Sequence, residues 1–156
     1  MEYKLIIDSR EQRPLPFVGN VFTKCLKVGD YAAEYNNILL PVIFDRKNPS
    51  DWAGTLVQGH ERFVREIGRA HKLGFKLIVI VECSYTKFIT KKYKGSEHST
   101  LSPLVLTKIL HSTMISHDLE VIFCKNRKEM MTYIKNYFHA LKNSELKNNG
   151  DKYEHC

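Results

Sequence analysis

Three aspartates and a lysine lie at the ends of β-prone runs, where they could form a reactive site. Asp8 directly follows Leu-Ile-Ile, Asp30 lies in a Gly-Asp turn, and Asp45 ends the apolar run 41–44. Carboxylates that converge repel one another unless a cation lies among them. Carboxylates with few histidines and no cysteine suit Mg²⁺ or Mn²⁺. Residues two apart in a strand face the same side, so Asp45 and Lys47 are expected to share this site.

The acidic-x-lysine triplet is not specific by itself. It occurs at residues 2–4, 45–47 and 145–147 of this chain. The middle copy differs because it closes an apolar strand and has an aspartate turn upstream. A metal-bound water that attacks a phosphodiester needs ligands, a positioned nucleophile and charge compensation, which Asp45 and Lys47 could supply. The alternative is a solvated strand end without catalytic function.

A longer pattern is more specific than the triplet. It comprises Ile-Asp-Ser-Arg-Glu at 7–11, Leu-Lys-Val-Gly-Asp-Tyr at 26–31, Asp-Arg-Lys-Asn-Pro-Ser-Asp at 45–51, Gly-His-Glu-Arg-Phe at 59–63, and a strand ending at Glu82. These motifs resemble the XPF-type nuclease domain of the restriction-endonuclease-like PD-(D/E)xK superfamily. The signature of that family is GD, a variable gap and ERKxxxD, preceded by a DxRE strand end. The resemblance covers residues 3–82.

The resemblance implies a role for each matching residue. Four carboxylates are implied to be catalytic and to lie in or beside the shell of an Mg²⁺ or Mn²⁺ ion: Asp8, Glu11, Asp30 and Asp45. Lys47 is implied to be the catalytic lysine. Arg46, also in the implied catalytic set, and Arg10 would support neighbouring phosphates or carboxylates.

Two further positions match the family pattern, and two features depart from it. Asp51 matches the last motif position, although it could equally be a favourable charge at a helix start. Arg62 could meet a phosphate or be an exposed helical charge. Asp45 stands where the family has glutamate, which is one methylene longer, so the metal geometry must adjust. Many family members carry a helix–hairpin–helix DNA-binding module after the nuclease domain, whereas only a polar segment follows Leu141 here.

A basic stretch predicts a second contact with nucleic acid. Its four lysines alternate with Phe88 and Tyr93: Lys87, Lys91, Lys92 and Lys94. The formal net charge is +7, from 24 Lys and Arg against 17 Asp and Glu. An excess of this kind favours an anionic partner such as nucleic acid. The alternative for the stretch is a solvated loop or helix face.

The elements that position these residues are strands followed by alternating helices and strands. Strands are predicted at 3–7, 21–28, 31–34, 38–44, 77–81 and 121–124. Helices are predicted from Pro49 to about Ala70, where three glycines could break the helix, and at 104–114 and 127–141. This order predicts a single α/β domain with a central mixed sheet flanked by helices. By resemblance, its fold is restriction-endonuclease-like.

The domain organisation and compartment follow from composition. Residues 1–141 are expected to form the nuclease domain, and residues 142–156 a polar, frayed tail. The four cysteines form no CxxC pair and suggest free thiols in a reducing, intracellular compartment, cytoplasmic or nuclear. No apolar run approaches the roughly 20 residues that span a bilayer, so no membrane association is expected.

The expected activity is metal-dependent hydrolysis of DNA phosphodiesters. By resemblance, the substrate is branched, flapped or forked duplex DNA in repair, recombination or replication. One alternative is a catalytically weak or inactive DNA-binding partner subunit, and another is a structural protein with accidental acidic strand ends. A homodimer or a separate DNA-binding partner is also expected. The apolar stripe from Met130 to Leu141 could form a dimer interface or could be core.

Overall fold

The computed structural model describes the backbone of residues 1–154 and the side chains of residues 1–148. Its seven strands in this part of the chain are β1 (Lys4–Asp8), β2 (Val21–Lys24), β3 (Tyr31–Tyr35), β4 (Ile38–Leu39), β5 (Val42–Lys47), β6 (Lys76–Glu82) and β7 (Glu120–Cys124). The five α-helices are α1 (Pro49–Val57), α2 (His60–Lys72), α3 (Tyr85–Ile89), α4 (Pro103–Ser116) and α5 (Arg127–Glu154), with a 3₁₀ turn at Ser96–His98. These elements confirm the predicted α/β class.

The strands form one mixed sheet in the order β2-β1-β3-β5-β6-β7, with β4 paired to β3. Strands β5, β6 and β7 are parallel, and β3 runs antiparallel to both β1 and β5. Strand β1 therefore runs in the same direction as β5. The carboxyl ends of β1, β5, β6 and β7 consequently meet at one edge of the sheet, which also carries the turn before β3.

Each face of the sheet has its own hydrophobic core. Helices α1 to α4 pack on one face and helix α5 packs on the other. Strand β6 contributes to both, because Leu77 and Val79 point into the first core and Ile78 and Ile80 into the second. A strand buried on both faces reads as a continuous apolar run, as the sequence predicted. The alternation of strand β5 then decides which residues face α2.

Two predicted elements are divided in the structure. The predicted strand 38–44 is divided into β4 and β5. The Leu40 amide still donates to the Ala33 carbonyl of β3, but Pro41 has no amide hydrogen to continue the ladder, and β5 begins at Val42. The predicted helix from Pro49 to Ala70 is interrupted at Gly59, whose amide bonds back to Gly54. Helices α1 and α2 are therefore separate.

Helix α5 continues beyond the predicted end at Leu141. Lys142 is only 3% exposed, and its ammonium pairs with Glu2 and lies 5.6 Å from the centre of the Tyr35 ring. The helical backbone extends to Glu154. The assignment of 142–156 to a separate frayed tail stays a prediction, and residues 155 and 156 lie outside the described residues.

The apolar stripe of α5 is part of the core. Met130, Ile134 and Phe138 have no exposed surface and pack on the second face of the sheet. The structure therefore confirms the core alternative for this stripe. A homodimer stays a prediction. In the described part of the chain, no helix is long and apolar enough to cross a membrane.

Candidate active site

The turn that carries Asp30 is fixed by glycine and by backbone hydrogen bonds. Gly29 has a φ of +72°, and a Cβ there would lie 2.0 Å from the Ile43 Cγ2 atom, so no other residue fits. The Asp30 amide donates to the Phe44 carbonyl oxygen at 2.8 Å, and the Asp30 carbonyl oxygen accepts from the Asp8 amide at 2.8 Å. Asp30 is thus held between β1 and β5 at the edge where both strands end.

The acidic pair of the site consists of the half-buried Asp30 and the buried Asp45. The Asp30 Oδ2 atom accepts a 2.7 Å hydrogen bond from the Arg46 amide. Asp45 is 4% exposed, and its Oδ2 atom is buried without a hydrogen-bond partner among the described residues. Lys47 Nζ lies 3.6 Å from that oxygen. The strand alternation explains the arrangement, because Asp45 and Lys47 share the face of Ile43 toward the α1–α4 layer.

The electrostatics of this pair favour a bound cation. Burial raises the pKa of Asp45 well above its usual value, and the charges of Asp30 and Glu66 add to this, while Lys47 opposes it. Burial also raises the pKa of Asp30, against the hydrogen bond from the Arg46 amide. Both carboxyl groups therefore resist ionisation in the bare protein. A cation at the unpartnered oxygen would restore the charged forms.

The residues present fit a divalent metal of the Mg²⁺ class. Carboxylate oxygens are the hard ligands that Mg²⁺ prefers. Asp30 and Asp45 supply two adjacent carboxylates, and the buried Asp45 Oδ2 atom accepts no hydrogen bond from the described residues. Among residues whose side chains are described, no three His, Cys, Asp or Glu side chains form a ready-made ligand group. The protein thus offers a pair of carboxylates, and water or a phosphate oxygen would complete the shell.

Asp8 lies at the site but is held by other contacts. Its Oδ2 atom accepts from Arg10 Nε at 3.0 Å, and its Oδ1 atom accepts from the Leu26 amide at 2.9 Å. Arg10 also donates to the Leu26 carbonyl at 2.6 Å. These bonds tie the loop before Gly29 to the end of β1, so Asp8 positions the turn that carries Asp30.

Glu11 is engaged with Arg46 rather than with the acidic pair. Arg46 donates to both Glu11 oxygens, at 3.0 and 2.9 Å. Burial opposes ionisation of Glu11, but the bonds from Arg46 and from the Arg13 amide outweigh it and lower the Glu11 pKa. Arg46 alternates with Asp45 and points to the opposite face. The bidentate pair therefore braces β5 from behind the site.

The acidic pair opens into a cleft of about 470 Å³ with mixed charge, which we call the catalytic cleft. Its acidic lining residues are Asp8, Asp30, Asp45 and Glu66, and its basic lining residues are Arg10, Lys27, Lys47, Arg62, Arg65 and Arg69. Sequence reasoning missed Lys27, Arg65, Glu66 and Arg69. The spacing 62, 65, 66 and 69 places one helical face over the site, and this periodicity could have identified them.

The remaining predicted residues fall into three groups. Lys87, Lys92 and Lys94 line a neighbouring cleft at the same sheet edge. Lys91 donates to the carbonyls of Ser99 and Leu101, at 2.7 and 2.5 Å, and so holds its own loop. Asp51 exchanges hydrogen bonds with the capping residue of α1, as its helix-start alternative predicted.

Comparison with known proteins connects this geometry to a family. The model of the ERCC4 domain matches residues 7–137 of the chain. Among solved structures, XPF from Aeropyrum pernix in complex with DNA is 22% identical with a TM-score of 0.62, over 92% of this chain and 65% of that chain. XPF from Aeropyrum pernix in a second structure is 21% identical with a TM-score of 0.61, over 85% of this chain and 58% of that chain.

These comparisons differ in what they establish. The likeness to the two XPF structures shows a shared fold, and this chain spans less than two thirds of the length of either. The comparison with curated proteins gives no match. The family match includes every residue of the catalytic cleft, from Asp8 to Arg69. The chain therefore belongs to the ERCC4 domain family, the XPF-type nuclease domains that its motifs resemble.

Proposed function

We propose that this chain is a metal-dependent endonuclease that hydrolyses phosphodiester bonds of branched, flapped or forked duplex DNA in repair, recombination or replication. The observation that carries the proposal is the buried Asp45 Oδ2 atom, which has no hydrogen-bond partner among the described residues and forms an ion pair with Lys47 Nζ at 3.6 Å, at the base of a cleft with a basic rim. The family supports a nuclease activity, and one fold relative was solved in complex with DNA.

Asp30 and Asp45 would hold the Mg²⁺ or Mn²⁺ ion. When bound, the ion supplies an activated water and positive charge beside the scissile phosphate. Asp8 and Glu11 contribute indirectly, since each is paired with an arginine. Asp8 fixes the Asp30 turn, and Glu11 fixes Arg46, whose amide orients the Asp30 carboxylate.

Lys47 acts as a charged donor in this proposal and not as a proton acceptor. Burial alone would lower its pKa, but the nearby charges of Asp45, Glu66 and Asp30 outweigh burial and raise it. Lys47 therefore stays protonated at neutral pH. Its ammonium can orient the attacking water or stabilise a phosphate oxygen as negative charge develops there.

The arginines of the catalytic cleft would hold the scissile phosphate and its neighbours. Arg62, Arg65 and Arg69 lie on one face of α2 and line the cleft with Arg10. The guanidinium group binds phosphate oxygens in a bidentate manner, which fixes the position of the backbone without reading bases. We propose DNA as the partner, bound inside the cell; a homodimer or a separate DNA-binding partner stays a prediction.

Cleavage of labelled flap, fork, nicked and linear DNA with Mg²⁺ or Mn²⁺ tests the proposal. We expect metal-dependent cutting by the wild type, its loss in Asp45→Asn and a large decrease in its rate in Lys47→Ala. Lys72→Ala is the matched control, because Lys72 is an exposed lysine at the far end of α2. Cutting that persists without a divalent ion, or in Asp45→Asn, contradicts the proposed site.

A second candidate function is a weakly active or inactive DNA-binding subunit. It is favoured by Asp45, which is shorter than the family glutamate and is joined by only one other carboxylate ligand. DNA binding without cutting in Mg²⁺ or Mn²⁺ would select it. In that case Asp45→Glu, which restores the family residue, is expected to increase cutting.

A further inference from the structure

A second cleft, of about 850 Å³, lies at the same edge of the sheet, and we call it the lysine cleft. Five basic residues and a single acidic residue, Glu82, line it. The basic residues are Arg13, Lys87, Lys92, Lys94 and Lys125. Among the residues with described side chains, none of these five forms a salt bridge. Their positive charge is therefore available to an anion.

The lysine cleft is next to the proposed reaction centre. The segment from Asn48 to Ser50, which directly follows Lys47, lines it together with Glu82 at the end of β6 and Lys125 after β7. Neighbouring strands are about 4.8 Å apart, so the ends of β6 and β7 lie roughly 5 to 10 Å from the end of β5. A DNA strand advances about 3.4 Å per nucleotide along its helix axis. The distance corresponds to about one to three nucleotides.

Two features of the cleft suit a phosphate group. The first is the N-terminus of α1, where the helix dipole favours negative charge, although Pro49 has no amide hydrogen and the Asp51 amide is already bonded to Asn48. The second is independent of the helix. Tyr93 lines the cleft at 7% exposure, and its hydroxyl is buried without a hydrogen-bond partner among the described residues. A buried hydroxyl without a partner is costly, and an acceptor oxygen would satisfy it where the cleft wall opens to admit one, because this hydroxyl has almost no exposed surface of its own.

The aromatic groups of the cleft are not available for stacking on bases. The Tyr93 ring is stacked on Phe88 at 5.5 Å with an interplanar angle of 18°, and both rings belong to the core. The cleft therefore offers charge and hydrogen-bond donors without a stacking platform. Contacts of this kind hold a nucleic-acid backbone in place and carry no sequence information.

We propose that the lysine cleft binds backbone phosphates of the substrate DNA about one to three nucleotides from the scissile bond. This inference rests on the proposed nuclease function and specifies where the strand runs after leaving the catalytic cleft. It also predicts a contact that is independent of sequence and sensitive to salt. Lys91 is excluded from the contact because its ammonium is bound to its own loop.

Binding measured without cleavage tests the inference. The affinity for labelled flap DNA is measured by fluorescence anisotropy at increasing KCl concentration for two proteins. One carries Asp45→Asn alone, and the other carries Asp45→Asn together with Lys87→Ala and Lys94→Ala. Each lost phosphate contact reduces the slope of log K against log salt by about 0.7 to 0.9, so the two lysines together should reduce it by about 1.4 to 1.8. The double control, Lys72→Ala with Lys108→Ala, removes equal charge from exposed positions outside both clefts and should leave the slope nearly unchanged.

Two further arms locate the contact. Tyr93→Phe keeps the stacked ring and removes an unsatisfied buried hydroxyl, so it should weaken binding without lowering the unfolding temperature. DNA that carries neutral methylphosphonates one to three nucleotides from the mapped cut should bind more weakly than ordinary DNA to Asp45→Asn. The same DNA should bind nearly as well as ordinary DNA to the variant that also lacks Lys87 and Lys94. Equal slopes for the lysine pair and the control pair overturn the inference. If the slopes are equal and the protein still cuts DNA, the proposed nuclease function stands and only the lysine-cleft inference fails. If the protein neither binds nor cuts DNA, the proposed function and the inference both fail.

Discussion

Replacement of Asp45 by asparagine should stabilise the metal-free protein while it abolishes cutting. The wild-type carboxyl group is buried beside Asp30 and Glu66, and one of its oxygens has no hydrogen-bond partner among the described residues, only an ion pair with Lys47 at 3.6 Å. Asparagine has almost the same shape, removes the buried charge and can donate to the Asp30 carboxylate. Lys47 keeps Asp30 and Glu66 as negative neighbours. An unsatisfied buried polar group costs about 1 to 3 kcal/mol, and we expect a gain of that order in the free energy of unfolding.

The assay is thermal unfolding in EDTA at neutral pH. For a domain of this size, 1 kcal/mol shifts the unfolding temperature by roughly 2 to 4 °C, so the expected rise is about 2 to 12 °C. Asp118→Asn is the control, because Asp118 is exposed and its φ of 47° suits asparagine. An Asp45→Asn protein that unfolds at or below the wild-type temperature in EDTA would refute the reasoning. Addition of Mg²⁺ or Mn²⁺ should stabilise the wild type and leave the variant unchanged.

The sign of the pH dependence follows from the same pair. The folded-state pKa values of Asp30 and Asp45 are raised above their ordinary values, so the folded state binds these protons more strongly than the unfolded state does. Their contribution to stability is therefore present below the unfolded pKa and is lost as the pH rises through the folded pKa. The metal-free wild type should lose stability relative to Asp45→Asn as the pH increases from about 4 toward neutrality, and a difference that is constant with pH contradicts this.

Three other substitutions test separate parts of the site. Lys47→Ala should lower the cleavage rate by about 10²- to 10³-fold in single-turnover assays, the size expected for a lost electrostatic stabiliser, while Lys72→Ala retains the wild-type rate. Glu11→Gln should destabilise the fold by about 1 to 3 kcal/mol in urea at neutral pH; because the Glu11 pKa is lowered, this loss should shrink as the pH falls. Gly29→Ala should lower the unfolding temperature more than Gly74→Ala, since both have positive φ but only at Gly29 would the new Cβ meet another residue.

The sequence was sufficient to predict the fold class and the convergence of Asp30 with Asp45, whose role as metal ligands stays a prediction. The Gly29-Asp30 turn and the alternation of Asp45 and Lys47 depend on local chain geometry, and local geometry can be inferred from the sequence alone. The buried run of β6 is equally local. What these patterns predict is the position of each side chain relative to its own strand.

The partners of the other charged residues could not be predicted in the same way. Glu11 and Arg46 are 35 residues apart, and their pairing depends on how β1 and β5 are placed around β3. The motif suggested that Asp8 and Glu11 belong in or beside the metal shell, but it does not show that each carboxylate is held by an arginine. Arg65 and Glu66 matched no motif, and a helical projection of α2 was needed to connect them with Arg62.

The placement of β6 between two cores has a consequence for amide hydrogen exchange. Residues 77–81 are at most 2% exposed, and residues 78–81 are paired on both sides by parallel strands. Their amides can exchange only when the whole domain opens, so their protection reports the global free energy of unfolding. The amides of residues 143–148 in α5 lie past the packed stripe and should exchange through local opening. Exchange in β6 therefore offers a measure of folding that requires neither DNA nor metal.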